Sequence, residues 1–437
     1  MTGVGLRMVV ILVALMAAMG SAGAAVTLGL LPSGEPLPRG ESPPILRPLG
    51  PLEYSGVWEY KWGDSPRAAW GALEWARPYS HSSEWTQLGR FDGVPGRNGS
   101  HWLWLRSEIP PNTHTDPVLH VGHLDQEFQV YVEGQLVYAW GDFSSGTPEY
   151  LGYRGHIVRL PPDSAGKRLT LRIYSEHRNI GPAGPIRFGE HSVILVNLFK
   201  IDLPRLIVGG FLILLGSAGF LLFWLRREER VFFAYGCLAV SGAVYILSQA
   251  QLRIFLFDYP LLLTYIELWS LQVTMLSLCY FIGEMFGQGP WRTVYYLRQF
   301  QWLYLFGSAL AVAFVRVPVL RILFPVQMLL LCDFVLAVGL PLYYSLRGNI
   351  EARIFAFGFL GAGLIAVYDV LVALGVLSRS QPKLGHIGYA LFFVTIGVIL
   401  GRRVLRSHQR LQSYTSMLNL SLASSRVLVP DERAQVA

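Results

Sequence analysis

The stretch LPRLIVGGFLILLGSAGFLLFWL, Leu203 to Leu225, decides the fold of this chain. It carries one cation near its start, Arg205, and then no charge to its end. As a helix it is long enough to cross a hydrocarbon layer of about 30 Å, and a helix satisfies its own backbone hydrogen bonds in lipid. Six further apolar stretches follow. The spans are predicted at Leu203 to Leu225, Val231 to Gln249, Leu261 to Met285, Phe300 to Val315, Ile322 to Leu346, Ile354 to Leu377 and Gly385 to Gly401.

Composition agrees with a membrane protein. Of 437 residues 52% are hydrophobic and 15% charged, with a mean hydropathy of +0.39, against about 25% charged in ordinary soluble chains. The net charge of +7 therefore does not imply nucleic acid. The basic residues sit beside the spans, where they set topology and meet anionic lipid.

The amino terminus reads as a secretory signal over residues 1–24: Arg7, an apolar core from Met8 to Met19, and the small-residue site Ala22-Gly23-Ala24. Export would place the following domain outside the cytoplasm. The loop charges give the same orientation independently. One set of loops carries Arg226, Arg227, Arg230, Arg292, Arg298, Arg347, Arg353, Arg402, Arg403, Arg406 and Arg410, and the other only Arg253, Arg316, Arg321, Arg379 and Lys383. By the positive-inside rule the first set is cytoplasmic, and an odd number of spans puts the carboxyl terminus there too. The expected location is the inner membrane, multi-pass, with a periplasmic amino-terminal domain.

Residues 25–53 are rich in proline and read as a leader without a core. From 54 to 198 the pattern is that of an antiparallel β-sandwich. Phe128, Val130 and Val132 share one face of a strand, Glu133-Gly134 makes a tight turn into Gln135 to Trp140, and Leu169, Leu171 and Ile173 give another inward face. All three cysteines, Cys237, Cys279 and Cys332, fall in spans, so this domain has no disulfide and no cysteine-based heme or zinc site. His120, His123, Asp125 and Glu127 are spaced as solvated strand positions, not as a metal site, and no cofactor or metal is expected.

Several segments resemble one family. Ser55-Gly56-Val57-Trp58-Glu59-Tyr60-Lys61-Trp62-Gly63, Gly96 to Arg106, Val130-Tyr131-Val132-Glu133-Gly134-Gln135-Leu136-Val137 and Pro185-Ile186-Arg187-Phe188-Gly189 are similar to successive motifs of the extracellular domain of bacterial seven-transmembrane receptors with diverse intracellular signalling modules. Ala366-Val367-Tyr368-Asp369-Val370-Leu371 and Gly385 to Phe393 resemble elements of their sixth and seventh spans. The resemblance implies a galactose-binding-like jelly roll related to carbohydrate-binding modules, followed by a seven-transmembrane helical domain over 203–401. It implies a signalling receptor for a small-molecule or carbohydrate ligand.

Aromatic faces stack on sugar rings, and Trp102, Trp104, Trp140 and Tyr153 are the candidate ligand residues; each has an alternative role as sandwich core. Within the spans Asp369, Asp333 and Glu267 are candidate polar switches, since carboxylates in lipid face the bundle interior. Asp369 stands as the most central of them. Residues 402–437 form a predicted juxtamembrane helix and connector, with Leu405, Leu411, Tyr414, Leu418 and Leu422 near heptad spacing. It would lie on the lipid surface or pair in a homodimer.

No catalytic motif occurs: there is no G-G-D-E-F, no phosphoacceptor box and no P-loop. An output enzyme would lie beyond this sequence or be a separate cytoplasmic signalling enzyme. The alternative reading is a membrane transport or envelope-polysaccharide assembly component with a glycan-binding periplasmic domain. No internal repeat supports transport, and the last span has no lysine for a retinal Schiff base.

Overall fold

The computed structural model describes residues 52–427 outside 54–56, 68–70, 78–84, 89–93, 113, 125–126, 145–147, 149, 153, 177–179, 183–185, 258, 316–318, 374–376 and 378–383. The signal, most of the leader and the last ten residues lie outside the described part.

Among the described residues, ten antiparallel strands form two sheets. The strands are β1 (Leu52–Glu53), β2 (Trp58–Trp62), β3 (Thr86–Leu88), β4 (Trp102–Glu108), β5 (Pro117–Leu124), β6 (Glu127–Val132), β7 (Gln135–Trp140), β8 (Arg154–Arg159), β9 (Arg168–Tyr174) and β10 (Ile186–Glu190). One sheet runs β1-β10-β5-β8 and the other β3-β2-β4-β9-β6-β7. Strand alternation sets the core. Leu103, Leu105, Phe128, Val130, Leu169, Leu171 and Ile173 of the larger sheet face Leu119, Val121, Val158, Ile186 and Phe188 of the smaller. Each such burial stabilises by about 1.5–3 kcal/mol. Glu133 and Gly134 both take positive φ, 49° and 83°, the conformation a two-residue hairpin needs to follow the twist of its strands.

Seven helices follow: α1 (His191–Leu225), α2 (Arg230–Ser248), α3 (Pro260–Phe286), α4 (Thr293–Val315), α5 (Val319–Leu346), α6 (Ile350–Ala373) and α7 (Gly385–Val427). Small residues let α1 and α2 approach. A Cβ on Gly209 would stand 2.5 Å from Leu247, one on Gly216 2.6 Å from Val240, and one on Gly236 2.7 Å from Phe220. The bundle core is aromatic, with Phe232, Phe281, Phe355 and Phe393 fully buried.

Among the described residues, six of these helices are long and apolar enough to cross a membrane by length and composition. The other, α4, has 23 residues, enough for about 35 Å at 1.5 Å per residue, but Arg298, Gln299 and Gln301 dilute its apolar character. Its predicted start at Phe300 falls seven residues inside the observed helix, because Arg298 and Gln299 interrupt the apolar run just before it.

Three boundaries differ from the expected ones. Leu52 and Glu53 of the leader already pair with Phe188 and Arg187 as an edge strand. The division between sandwich and helices, drawn at 198 and 203, falls inside α1, which starts at His191 directly after β10. At the other end the seventh span and the connector are one helix of 43 residues.

Candidate functional site

The two faces of the sandwich do different things. The outer face of the four-stranded sheet rests on the bundle. Val118 of β5 and Ile157 of β8 pack with Ile194 and Leu198 of α1 and with Leu252, which lies in the short 3-10 turn Gln251–Phe255 between α2 and α3. The side chain of Gln251 enters beside His120, where an added Cβ on Gly155 would stand 3.5 Å from its Oε1 and one on Gly122 3.9 Å from its Nε2. The backbone N–H of Leu252 donates to Asp202 Oδ2 at 2.8 Å, and Arg205 Nη1 donates to Asp202 Oδ1 at 2.8 Å. Asp202 is fully buried. Nearby, Tyr150 packs against a bundle cluster that includes Leu268, Met275 and Val326. Gly152 is so close to the start of α3 that an added Cβ would lie 2.5 Å from the Leu261 nitrogen.

The junction between β10 and α1 is clamped. Glu190, the last strand residue, accepts from Thr115 N (3.2 Å), Thr115 Oγ1 (2.9 Å) and Asp116 N (3.1 Å). His191 N donates to the Asp116 carbonyl at 3.1 Å, and the His191 ring lies 3.3 Å from the Asp116 carboxylate.

The opposite face, the outside of the six-stranded sheet, holds a cavity of about 520 Å³. Among the described residues, Gln129, Tyr131 and Arg172 form its floor, Arg67, Leu73, Ala76 and Arg77 one wall, and Gly141, Phe143 and Ser144 the other. Arg172 is 5% exposed. It donates through Nε and Nη2 to Asp64 at 2.9 and 2.6 Å and through Nη1 to Gln129 Oε1 at 3.0 Å. Tyr131 Oη donates to the same Gln129 oxygen at 2.8 Å. Burial pushes the Tyr131 phenol above its ordinary value, so it remains a donor.

The predicted aromatic residues fall in different places. Trp104 has no exposed surface and is covered by Trp75, at a ring-centroid distance of 5.7 Å, and by Tyr131, at 6.2 Å. Its indole N–H has no partner among the described residues, which costs about 1–3 kcal/mol. Burial of some 150–250 Å² of indole is worth about 4–6 kcal/mol and outweighs that. Trp104 thus anchors the floor and offers no face to a ligand. Trp102 is half-buried under the Arg172 guanidinium, 4.1 Å from its ring centroid, and 4.8 Å from the Tyr174 ring. Trp140 lies on the interior side of β7, opposite Phe128, with its ring 5.2 Å from His156 and 4.6 Å from the Arg154 guanidinium. It does not reach the cavity. Tyr153 lies outside the described residues.

Three buried titratable groups surround the interior. Desolvation, reinforced by Arg187, lowers His120 to about 4. Desolvation lowers His156 to about 3, with the Arg154 charge adding to it, and Tyr138 Oη lies 2.9 Å from its Nδ1. Glu127 is raised to about 7 by burial, although Leu151 N donates to it at 3.2 Å.

Each of the three candidate intramembrane carboxylates has partners. Asp333 of α5 accepts from Gln301 Nε2 of α4 at 2.6 and 2.7 Å and lies 3.1 Å from Cys279 Sγ of α3, tying three helices. Glu267 accepts from Gln249 at 3.2 Å and pairs with Arg253 at 3.7 Å. Asp369 lies in α6, and its Oδ1 accepts from Leu384 N at 2.8 Å, just before the start of α7. At the end of the bundle away from the sandwich, Arg403 reaches Glu229 at 3.7 Å and Arg406 reaches Glu351 at 2.7 Å. Beyond them α7 is exposed: Tyr414, Met417, Leu418 and Leu420 are each more than half accessible.

Sequence reading missed Asp202, the Gln251 contact and the arginine-lined cavity. Asp202 left one signal, an arginine three residues later on the same helix face. The other two depend on packing between distant segments.

Among curated proteins none matches the chain. A solved structure of a glycosyl hydrolase family 2 (GH2) member from Bacteroides cellulosilyticus DSM 14838 is similar over 32% of this chain and 20% of that one, at 14% identity and a TM-score of 0.24. Residues 203–403 match the model of the family described as 7TM diverse intracellular signalling. That span begins within α1 and ends within α7, past the bundle core of all seven helices. Through this seven-helix region, less than half of its length, the chain is similar to the 7TM diverse intracellular signalling family.

Proposed function

We propose that this protein is an inner-membrane receptor that senses a small-molecule or carbohydrate ligand in its periplasmic sandwich and relays occupancy through seven helices to a cytoplasmic module or partner. The observation that carries this reading is the double attachment of one sheet to the bundle. β10 passes into α1 without an intervening loop, and the Gln251–Phe255 turn docks on β5 and β8. A change in the sandwich then has two rigid routes into the membrane and no slack segment to absorb it. The cavity on the other sheet lies about one sandwich thickness, some 10 Å between sheets, from that contact.

On this reading the exposed part of α7 is the exit, as a helix that pairs with a second copy or recruits an enzyme. Reporter fusions after Arg227 and Arg410 are expected to behave as cytoplasmic, and those after Arg253 and Lys383 as periplasmic. A periplasmic result at Arg410 overturns the seven-span topology. Gln251→Ala, which empties the docking contact, is expected to change the alkylation rate of a cysteine placed at Leu418. An unchanged rate would remove the relay, and solute uptake by vesicles holding the purified chain would favour transport instead.

A further inference from the structure

We propose that the turn between α2 and α3 is a lipid-binding surface at the headgroup–acyl boundary of the outer leaflet, with Phe255, Leu256 and Phe257 against the upper acyl chains. The inference rests on the seven-span reading proposed above and adds a contact with the bilayer at the footing of the sandwich. In a loop that faces water, charged side chains point out and apolar ones pack in. Here the pattern is inverted. Arg253 is buried and pairs with Glu267, while Phe255, Leu256, Phe257 and Tyr259 are each more than half accessible. The backbone suits an apolar medium too, where N–H groups must be bonded within the protein. Leu256 N and Phe257 N both donate to the Arg253 carbonyl, at 3.0 and 2.9 Å, and Leu252 N donates to Asp202.

Two neighbours carry the same surface onward. Leu262 of α3 is more than half accessible, and α3 is long and apolar enough to cross a membrane. This continuity with a membrane-crossing helix commits the patch to lipid and not to a second protein. On α1, Ile194 and Leu198 pack on the sandwich. Val196 and Phe199 turn to the other side of the helix and are exposed, with Lys200 exposed beside them. Asp202 of α1 is bonded to Leu252, so Phe199, one turn nearer the sandwich, stands at the level of the turn or above it. A lysine beside an exposed phenylalanine fits the headgroup zone, where the ammonium meets phosphate and the ring meets acyl chain. The Tyr259 ring with its hydroxyl suits the same depth. Asp258, between Phe257 and Tyr259 in the sequence, limits that depth to the boundary, since a carboxylate is costly in hydrocarbon.

Two measurements on the full chain in phosphatidylcholine and phosphatidylglycerol nanodiscs test this. In a background without the three native cysteines, a nitroxide is attached through Leu256→Cys, an exposed position whose label leaves the core intact. Its collision rates with oxygen, which concentrates in lipid, and with a water-soluble nickel chelate are compared with labels at Leu214→Cys, exposed in mid-α1, and Leu136→Cys, exposed on the sandwich. The oxygen-to-nickel ratio at Leu256 is expected to shift from the Leu136 value toward that at Leu214. A ratio equal to that at Leu136 overturns the proposal. Low collision with both reagents also overturns it, and shows that another part of the chain or a second copy covers the turn. The unlabelled wild-type chain is then irradiated with a phospholipid that bears a diazirine high on its acyl chain. Adducts are expected on Phe255 to Leu262, and adducts on α1 without any on this segment overturn the proposal independently of any variant. Failure of the topology itself appears in the reporter fusions, whereas both of these measurements read contact with lipid in either leaflet.

Discussion

Asp202 in the first helix and Leu252 in the turn between the second and third are joined by a 2.8 Å hydrogen bond from backbone N–H to a fully buried carboxylate. This bond fixes the turn that carries Gln251 against the sandwich. Asp202→Ala strands both the Leu252 N–H and Arg205, and is expected to cost about 2–4 kcal/mol. Asp202→Asn keeps an acceptor for the backbone and loses the charge pair, so its cost should be about half. Denaturant melts in detergent, followed by tryptophan fluorescence, check the order; equal losses would show that the hydrogen bond contributes little.

The pH dependence of sandwich stability follows from three buried groups. Unfolded, the two histidines take up protons below pH 6.5; folded, they stay neutral until about 4 at His120 and about 3 at His156. Their contribution is complete above pH 6.5 and is lost as pH falls. Glu127 acts oppositely, because the unfolded carboxyl ionises above 4.5 while the folded one keeps its proton to about 7. Between pH 4.5 and 6.5 two histidine protons oppose one from Glu127. Net stability should therefore rise with pH, by at most about 1.4 kcal/mol per pH unit. In a His120→Gln, His156→Gln double variant the slope should reverse, and melts at several pH values would reveal a failure to do so.

Gly152 is expected to be a coupling position. An alanine there meets the backbone of Pro260 and Leu261 at 2.5–2.6 Å and must also hold a φ of +91°. Gly71 has a similar φ, +85°, with nothing within 4 Å, so Gly71→Ala carries the backbone strain of about 1–2 kcal/mol without the collision. Protease cleavage between sandwich and bundle should accelerate in Gly152→Ala and not in Gly71→Ala. Equal behaviour would place the effect in the backbone conformation alone.

The exposed end of α7 should meet a second copy. Tyr414 and Leu418 lie one turn apart on the same face and are 65% and 58% accessible. In a chain without Cys237, Cys279 and Cys332, a cysteine at Leu418 is expected to crosslink between chains in native membranes. A cysteine at Ser413, off that face, should not, and equal crosslinking at both would mean collision without a defined pairing.

Much of this was legible in local patterns. The alternation at Phe128, Val130 and Val132, the Glu133-Gly134 turn and the apolar stretches are set by neighbours in sequence, so period and turn chemistry disclose them. The start of α1 was hidden because His191, Ser192, Asn197, Lys200 and Asp202 interrupt the apolar run. Ile194 and Leu198, four residues apart, show why that stretch is nonetheless helical: they pack on Val118 of a strand more than seventy positions earlier. Trp102, Trp104 and Trp140 look alike in sequence. What separates them is a bulge between Val130 and Tyr131 that sets the face of β7, and the segment around Trp75 that covers β4.

The fused joint at Glu190 and His191 makes the sandwich the handle of a long lever. α1 spans 35 residues, about 52 Å at 1.5 Å per residue, and the clamp from Thr115 and Asp116 resists bending at its root. A tilt of the sandwich by about 5° would, for a straight rigid rod of that length, sweep the far end of α1 by about 4–5 Å. Such leverage needs no ligand-sized rearrangement inside the lipid, only a small rocking of one sheet on its footing.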